Sequence, residues 1–387
     1  MFSYKCLNPI AECGITLFDD NYTQVEDIQD ADAVLVRSAS MHDITEVPNL
    51  LAVARAGAGV NNIPVSQYAE KGIVVFNTPG ANANGVKELV IAAMLMASRD
   101  LIGGNAWVEA NKDDENITKD MEKAKKAYAG TEIKGKSIGV IGLGAIGVLV
   151  ANAARGLGMK VFGYDPYLSL SNAWNLSRSV IHVDSADEIF EKCDFITIHV
   201  PLLDSTRNMI NAEGIAKMKP NAVLLNFARN GLVDEEAVVA ALREGRIRHY
   251  VTDFPTPTTV DEEGVIAFPH LGASTEESEE NCAMMAVEQL KDYLENGNIH
   301  NSVTLANVDM GVCRTAGRIA VIHRNVPNML TQFTGAFSRD NINITEMSNT
   351  TKGDYSYAIF DVDNVVDQKA AEAISKIDGV LKVRVIK

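Results

Sequence analysis

The chain has 387 residues, of which 47% are hydrophobic and 22% are charged, a balance typical of a globular protein with two or three domains. Its formal net charge is −16. A chain this acidic is not expected to coat nucleic acid or to bind an anionic membrane surface, but it is compatible with a local basic pocket for an anionic ligand. The sequence has no run of about 18 consecutive apolar residues to span a bilayer.

Cysteine usage and the N-terminal sequence bear on the compartment. The five cysteines are odd in number and scattered, without a CxxC pair, which favours a reducing compartment over a disulfide framework or a zinc site. The first 18 residues lack a basic region, and polar residues interrupt their apolar run, unlike an export signal. We therefore expect a cytoplasmic protein without a bound metal.

The first hundred residues alternate short apolar runs with helical segments. Strands are predicted at 34–38, 51–56 and 73–78, and turn residues close the last two. Residues 84–99 are dense in Ala, Leu and Met and predict a largely buried helix. Residues 108–128 are polar and of mixed charge, which predicts a solvated helix or loop before the next unit.

Two further segments follow. From Ser137 onward, apolar strands alternate with amphipathic helices such as 234–245, a pattern that predicts a doubly wound parallel sheet with right-handed crossovers. A long helix is predicted over 275–298. The last segment, of about 75 residues, reads strand–helix–strand–strand–helix–strand and predicts a ferredoxin-like βαββαβ domain.

A glycine-rich turn after the first strand of the second segment predicts a dinucleotide site. The turn has the pattern GxGxxG between a strand and a helix, so the helix N-terminus faces the phosphates. An acidic residue at the end of the next strand binds the ribose hydroxyls and favours NAD over NADP. The residues predicted to bind the cofactor here are Gly142, Gly144, Ala145, Ile146, Gly147 and Asp165.

Other polar groups follow strands of the same sheet, where a doubly wound fold places its ligands. Oxidation of a hydroxyl by hydride transfer needs a base for the hydroxyl proton and a cation for the substrate carboxylate. His270 and Arg229 have the chemistry for these two roles. Taken singly, each has an ordinary alternative, a histidine at a sheet edge or an exposed arginine in a turn.

The motifs GLGAIG with Asp165, HVPL at 199–202, NFARNG at 226–231 and PHLGAST at 269–275 together resemble the D-isomer-specific 2-hydroxyacid dehydrogenase family. The last segment resembles an ACT domain. The resemblance implies a Rossmann-type nucleotide domain, a flavodoxin-like substrate domain and a C-terminal ACT domain. The expected boundaries are 1–88 and 276–300 for the substrate domain, 89–275 for the NAD-binding domain and 312–387 for the ACT domain.

The resemblance also implies roles for single residues. Arg229 would bind the substrate carboxylate, and His270 would be the acid/base. Additional cofactor contacts are implied for His199, Pro201, Thr206 and Asp253. Substrate contacts are implied for Arg37, Ser38, Gly57, Ala58, Gly59 and Lys126, with Arg37 and Lys126 facing a substrate phosphate; Lys126 also fits a merely solvated face.

One family feature is missing. Members of the family normally carry a Glu that pairs with the catalytic His, and here that position is Thr258. Because a nearby carboxylate raises the pKa of a His, its loss would lower that of His270 unless another acid reaches the ring. Asp261, Glu262 and Glu263 follow in the same loop and are hypothesised substitutes.

The combination of the dehydrogenase motifs with an ACT domain implies oxidation of 3-phospho-D-glycerate to 3-phosphohydroxypyruvate, the first step of L-serine synthesis. His323, Asn325 and Asn343 match positions that bind an L-serine effector, although Asn328 replaces the usual Gly of that turn and a purely structural ACT domain is the alternative. A homo-oligomer, dimer or tetramer, is also implied. Two rival functions are a glyoxylate or hydroxypyruvate reductase of the same family and a non-enzymatic NAD-sensing protein.

Overall fold

The computed structural model describes residues 1–366 and 368–387, which form two compact units. One unit comprises 1–82 with 276–387, and the other comprises 83–275. The first unit contains a five-stranded and a four-stranded sheet, and the second contains a seven-stranded sheet. Because the two sheets of the first unit belong to a single compact body, the three-domain partition stays a prediction.

The five-stranded sheet is parallel, with the strand order β2-β1-β3-β4-β5 of a flavodoxin-like domain, as predicted. Its elements are β1 (Phe2–Cys6), α1 (Glu12–Ile15), β2 (Tyr22–Gln24), a 3₁₀ turn (Ile28–Asp30), β3 (Ala33–Val36), β4 (Ala52–Arg55), α2 (Val65–Glu70) and β5 (Val74–Phe76). The strands β3, β4 and β5 are buried on both faces, which explains why they are continuous apolar runs in the sequence.

The second unit begins with helices that precede its sheet: α3 (Ala83–Ser98), α4 (Leu101–Ala110) and α5 (Ile117–Ala124). The apolar face of α3 packs in the core, whereas α4 and α5 have no buried residue. Among the residues that the structure describes, no single helix is long and apolar enough to cross a membrane; α3 and α4 reach the length only as a pair bent by 70°.

The seven-stranded sheet is parallel, in the order β12-β11-β10-β9-β6-β7-β8, which is the doubly wound Rossmann arrangement predicted from the sequence. The direction of winding reverses between β6 and β9, so the crevice for a ligand lies at the carboxyl ends of these two strands. The elements are β6 (Ser137–Ile141), α6 (Ala145–Gly156), β7 (Lys160–Tyr164), α7 (Leu170–Asn175), β8 (Ile181–His182), α8 (Ala186–Lys192), β9 (Phe195–Ile198), α9 (Ala212–Lys217), β10 (Ala222–Asn226), α10 (Glu235–Arg243), β11 (Ile247–Thr252) and β12 (Val265–Ala267).

The chain returns to the first unit through the 21-residue helix α11 (Glu276–Asn296). The antiparallel sheet that follows has the order β14-β15-β13-β16, which confirms the predicted βαββαβ arrangement. Its elements are β13 (Gly317–Arg324), α12 (Met329–Arg339), β14 (Ile344–Lys352), β15 (Tyr355–Val362), α13 (Gln368–Ser375) and β16 (Val380–Val385).

Both faces of this antiparallel sheet are covered. Ile319, Val321 and Phe360 point to one face, where they pack with α12 and α13. Alternate residues such as Ile322 and Ile359 point to the other face and join one continuous apolar core with α11 and the five-stranded sheet. This arrangement fixes the ACT-like segment to the first sheet through buried apolar surface rather than through a linker alone.

Candidate active site

The glycine turn that leaves β6 has the backbone that a dinucleotide site requires. Gly142 has φ +90°, and a Cβ there would lie 2.5 Å from the carbonyl oxygen of His199. A Cβ at Gly147 would lie 1.9 Å from the carbonyl oxygen of Gly142, whereas one at Gly144 would meet open space. The first and third glycines therefore pack the turn, and the second leaves its backbone accessible to a ligand at the start of α6.

Asp165 immediately follows β7 and faces this turn. Its Oδ2 accepts a hydrogen bond from Leu143 N at 2.8 Å, and its Oδ1 accepts one from Tyr167 N at 2.8 Å. The two bonds hold the carboxylate at the glycine turn while the side chain stays partly accessible. This placement is the one expected of a carboxylate that accepts hydrogen bonds from the adenosine ribose and repels a 2′-phosphate.

His199, Pro201 and Thr206 lie in the segment after β9, on the other side of the winding reversal. The Nε2 of His199 lies 2.9 Å from Thr197 Oγ1, and burial lowers the pKa of this imidazole to about 3. Its Nδ1 is buried, and no group in the part of the chain that the structure describes reaches it. Thr206 Oγ1 donates to Pro201 O at 2.7 Å and accepts from Leu203 N at 2.8 Å, which shapes the loop.

Asp253 follows β11 and is 1% exposed. Its carboxylate accepts hydrogen bonds from the backbone N–H groups of Leu271 and Gly272, each at 2.7 Å. Burial raises the pKa of Asp253, and these bonds together with the nearby His270 oppose the rise. Asp253 thereby anchors the loop that carries His270.

His270 is exposed, and its backbone has the left-handed φ of +58°, which is uncommon for a residue with a side chain. Its own N–H donates to Asp253 O at 3.1 Å, and its ring centroid lies 5.0 Å from that of Phe254. The surrounding hydrogen bonds hold this unusual backbone in place. The imidazole is therefore presented to solvent from a fixed loop, as an acid/base group requires.

Arg229 follows β10 in a turn held by the buried Asn226, whose Nδ2 donates to Arg229 O at 3.0 Å. The Arg229 side chain is exposed, and its Nη1 donates to Ala228 O at 2.6 Å. Among the described residues it forms no ion pair with a carboxylate. Its positive charge is therefore available for an anionic ligand at the carboxyl edge of the sheet.

Glu262, one of the acids hypothesised to pair with His270, is bound elsewhere. Both oxygens of Glu262 are bound by Arg243, with a distance of 3.1 Å from Nε to Oε2. Glu263 lines a cavity of about 540 Å³ with Arg248 and His249, on the amino-terminal side of β11. Within the chain segments described, no carboxylate pairs with the His270 ring, so the contacts of this loop oppose its hypothesised role.

The residues of this sheet fit a nicotinamide dinucleotide. The open backbone at Gly144, the fixed carboxylate of Asp165 and the unpartnered buried Nδ1 of His199 are the groups that would hold it. NAD supplies the hydride acceptor when it is bound.

The predicted substrate residues of the first unit gather at the carboxyl ends of the neighbouring strands β3 and β4. Asn8 Oδ1 accepts hydrogen bonds from three successive N–H groups, those of Arg37 and Ser38 at 3.0 Å and that of Ala39 at 2.9 Å. Gly57 N donates to Thr78 Oγ1 at 2.8 Å. Hydrogen bonds within the chain therefore hold the backbone of both loops in place.

Three residues that were not predicted complete this region. Arg55 donates from Nε to Arg37 O at 3.0 Å and from Nη1 to Gly59 O at 2.7 Å, which joins the two loops. Glu279, on α11, forms an ion pair with the Arg37 guanidinium. Asn8 and Arg55 lie next to strand ends and were detectable on that basis, whereas Glu279 is distant in sequence and carried no signal.

Lys126 follows α5 and is exposed, without an ion-pair partner among the described residues. The neighbouring Lys125 pairs with Glu122. The contact of Lys126 with a substrate phosphate stays a prediction.

The three predicted effector residues do not meet within one chain. His323 is buried, with Nδ1 2.8 Å from Arg324 O and Nε2 3.1 Å from Asn349 Oδ1, and Asn325 Nδ2 donates to Gly353 O at 3.2 Å. His323 and Asn325 therefore both lie at the carboxyl end of β13. Asn343 precedes β14, level with the start of β13, because Gly317 and Ile344 both align with Val362. Asn328 has φ +72°, so the turn keeps the left-handed geometry expected for the Gly that it replaces.

Comparisons with known proteins agree with this architecture. Residues 91–272 match the model of the D-isomer specific 2-hydroxyacid dehydrogenase, NAD binding domain, and residues 319–382 match the AHAS small subunit-like ACT domain. The solved structure of a cofactor (NAD+) bound 3-phosphoglycerate dehydrogenase of Entamoeba histolytica is 29% identical, with a TM-score of 0.61 over 78% of this chain and 98% of that one.

Two curated relatives place the similarity over most of the chain. A D-3-phosphoglycerate dehydrogenase of Haemophilus influenzae is 32% identical over 354 residues, which are 89% of this chain and 83% of the relative. A hydroxypyruvate reductase of Thermotoga maritima is 38% identical over 275 residues, 68% of this chain and 85% of the relative. The chain spans about half the length, 57% and 48%, of two further relatives that are named D-3-phosphoglycerate dehydrogenase. The chain belongs to the D-isomer specific 2-hydroxyacid dehydrogenase family, and its second unit contains the NAD-binding domain of that family.

Proposed function

We propose that the chain catalyses the NAD-dependent oxidation of 3-phospho-D-glycerate to 3-phosphohydroxypyruvate, the first step of L-serine biosynthesis. The observation that carries the proposal is that this chain combines the dehydrogenase sheet with an ACT domain. The D-3-phosphoglycerate dehydrogenase of H. influenzae is similar to it over 89% of this chain and 83% of its own length. A cytoplasmic location is part of the proposal, and five free cysteines are consistent with it.

In the proposed reaction, Arg229 binds the carboxylate of the substrate and His270 takes the proton of its hydroxyl. The guanidinium of Arg229 is exposed and forms no ion pair with the described carboxylates, which supports the first role. The fixed, solvent-facing ring of His270 supports the second. The backbone of Gly57–Gly59 and that of Ser38 provide further contacts to the substrate, and Arg37 with Lys126 binds its phosphate.

L-Serine is the proposed effector of the ACT domain. Because Asn325 and Asn343 lie at opposite ends of the same sheet, a site that uses both of them needs a second copy of the chain. The geometry therefore supports a homo-oligomer along with the effector, and both remain part of the proposal. Since both ring nitrogens of His323 are already engaged, a bound serine must replace one of these contacts.

A second candidate is the reduction of hydroxypyruvate, favoured by the 38% identity to the T. maritima hydroxypyruvate reductase. The two activities differ in the phosphate at the far end of the substrate. An NAD-sensing protein without turnover is the third possibility, which the missing acid beside His270 favours.

The test is the rate of NADH formation with 3-phospho-D-glycerate and with D-glycerate. We expect a preference for the phosphorylated substrate that falls at least about tenfold in Arg37→Ala, because hydrogen bonds to a charged group are worth roughly 1.5–3 kcal/mol. Lys126→Ala is compared with Lys125→Ala as its matched control, since the adjacent Lys125 pairs with Glu122 of α5. Preference for the unphosphorylated substrate would favour the reductase.

The effector is tested by titration of the same assay with L-serine. Inhibition is expected to be weakened by Asn325→Ala. A rate that does not respond to serine would leave the ACT domain with a purely structural role.

A further inference from the structure

The backbone of Arg37 is fixed on both sides, whereas its side chain has an exchangeable partner. Asn8 accepts the hydrogen bond of Arg37 N, and Arg55 donates to Arg37 O. The guanidinium itself pairs with Glu279, and the two side chains of this pair are 45% and 43% exposed. The cation is therefore prearranged by its backbone and neutralised by a carboxylate that solvent can reach.

Glu279 does not depend on Arg37 for its place in the fold. It lies in the first turn of α11, beside Glu276 and Glu277, where the helix dipole favours acidic side chains. Ser278 and Cys282 of the same helix are buried, so α11 is held by its own packing on both sides of Glu279. Separation of Glu279 from Arg37 therefore costs little free energy, because the pair is exposed.

We propose that Glu279 is a specificity-determining residue, which competes with the phosphate of the substrate for the Arg37 guanidinium. This inference rests on the proposed function for the identity of the substrate. A phosphate dianion carries more charge than a carboxylate and accepts two parallel hydrogen bonds from a guanidinium, so it displaces Glu279. A hydroxy acid that has no charge at the end away from its carboxylate leaves the Arg37–Glu279 pair intact. Glu279 therefore reduces the ratio of the affinity for phosphorylated substrates to that for unphosphorylated ones.

The size of the effect follows from the exposure of the pair. Exposed ion pairs contribute at most about 1 kcal/mol, which corresponds to roughly a fivefold ratio of affinities. Glu279→Gln is therefore expected to lower KM for 3-phospho-D-glycerate by about two- to fivefold, with kcat and the KM for D-glycerate nearly unchanged. Glu277→Gln is the matched control, because it removes one charge from the same helical turn and has no ion pair with Arg37.

A binding measurement separates this inference from the proposed function. Calorimetric titration of the full chain with inorganic phosphate needs no turnover, and phosphate is expected to bind about two- to fivefold more tightly to Glu279→Gln and much more weakly to Arg37→Ala than to the wild type. If Glu279→Gln binds phosphate equally or less well, or if Glu277→Gln has the same effect, the competition is refuted even where 3-phospho-D-glycerate proves to be the substrate. A wild type that does not oxidise 3-phospho-D-glycerate refutes the proposed function, and the phosphate titration still decides the role of Glu279.

Discussion

Arg318 on β13 and Asp361 on β15 lie opposite each other on neighbouring strands and form a buried ion pair. The distance from Nε to Oδ1 is 2.5 Å, and that from Nη2 to Oδ2 is 2.7 Å. The remaining donors of Arg318 bind the carbonyl oxygens of Met310 and Gly311 and that of Asn296 at the end of α11. One side chain therefore ties the ACT-like sheet to the segment that enters it.

The Arg318–Asp361 pair predicts a large loss of stability in Asp361→Asn. Removal of one partner leaves the other charge buried without compensation, which costs about 3–5 kcal/mol. The expected result is an unfolding midpoint in urea that is clearly lower than that of the wild type. Glu213→Gln is the control, because its pair with Lys217 is exposed and its loss is expected to cost less than about 1 kcal/mol. Equal effects of the two substitutions would contradict this prediction.

His270→Asn is predicted to abolish most of the activity without loss of cofactor binding. Asn is chosen because it tolerates the left-handed backbone found at this position. We expect kcat to fall by roughly 10²–10⁴, the usual contribution of a general base, with the Kd for NAD changed by less than about twofold. His249→Asn, on β11 of the same sheet, is expected to retain its rate. A parallel loss of NAD binding, seen by fluorescence titration, would show that the effect is structural.

Asp165→Asn is predicted to relax the choice between NAD and NADP. The substitution keeps an acceptor for Leu143 N but removes the negative charge that repels a 2′-phosphate. We expect the ratio of kcat/KM for NAD to that for NADP to fall about tenfold, which corresponds to roughly 1.4 kcal/mol. An unchanged ratio would mean that Asp165 only shapes the turn.

His199 is predicted to destabilise the fold as the pH falls. Its pKa is about 3 in the folded chain and 6.5 in its ordinary state, so the unfolded chain binds more protons between these values. Stability is therefore fully retained above pH 6.5 and is lost as the pH decreases through this window, by at most about 1.4 kcal/mol per pH unit. Urea unfolding from pH 7 to pH 4 should show a weaker pH dependence in His199→Asn than in the wild type. Identical slopes would mean that His199 is not the group responsible.

Lys382 is predicted to make the free energy of unfolding depend on pH in the alkaline range. Burial lowers its pKa from 10.5 to about 8, and its Nζ donates to Leu50 O at 2.7 Å. The unfolded chain then binds more protons between pH 8 and pH 10.5, so this residue makes stability rise with pH across that window, by on the order of 1 kcal/mol per pH unit. Lys382→Gln keeps a donor for Leu50 O and should remove the rise. A variant with the same alkaline slope as the wild type would assign the effect to another group.

The sheets and the dinucleotide turn were predictable because their determinants are local. A buried strand, a glycine turn and a helix follow one another between Ser137 and Gly156, and the acidic residue stands at the next strand end. The strands of β13 and β15 were also readable as apolar runs. In the structure these strands are buried at nearly every position, rather than at every second one, because both faces of the ACT-like sheet are covered.

The contacts that tune the site were not predictable, because they join residues that are distant in sequence. Glu279 reaches Arg37 only after α11 has returned to the first sheet, and Glu262 is held by Arg243 instead of approaching His270. The separation of Asn325 from Asn343 likewise depends on the register of three strands. The type of each residue was enough to predict which chemistry its side chain can perform. The partner of that side chain depends on the fold and was not predictable from the sequence.

The apolar core shared by Tyr293, Ile322 and Tyr357 has a consequence for how such a chain can change in evolution. An ACT domain joined only by a linker can be gained or lost as a single genetic event. Here its removal would expose the apolar side of α11 and of the first sheet to water, and the remaining dehydrogenase would aggregate unless several of these residues became polar at once. Removal of the ACT-like segment alone is therefore expected to destabilise the rest of the chain, so the segment has a structural role whether or not it binds an effector.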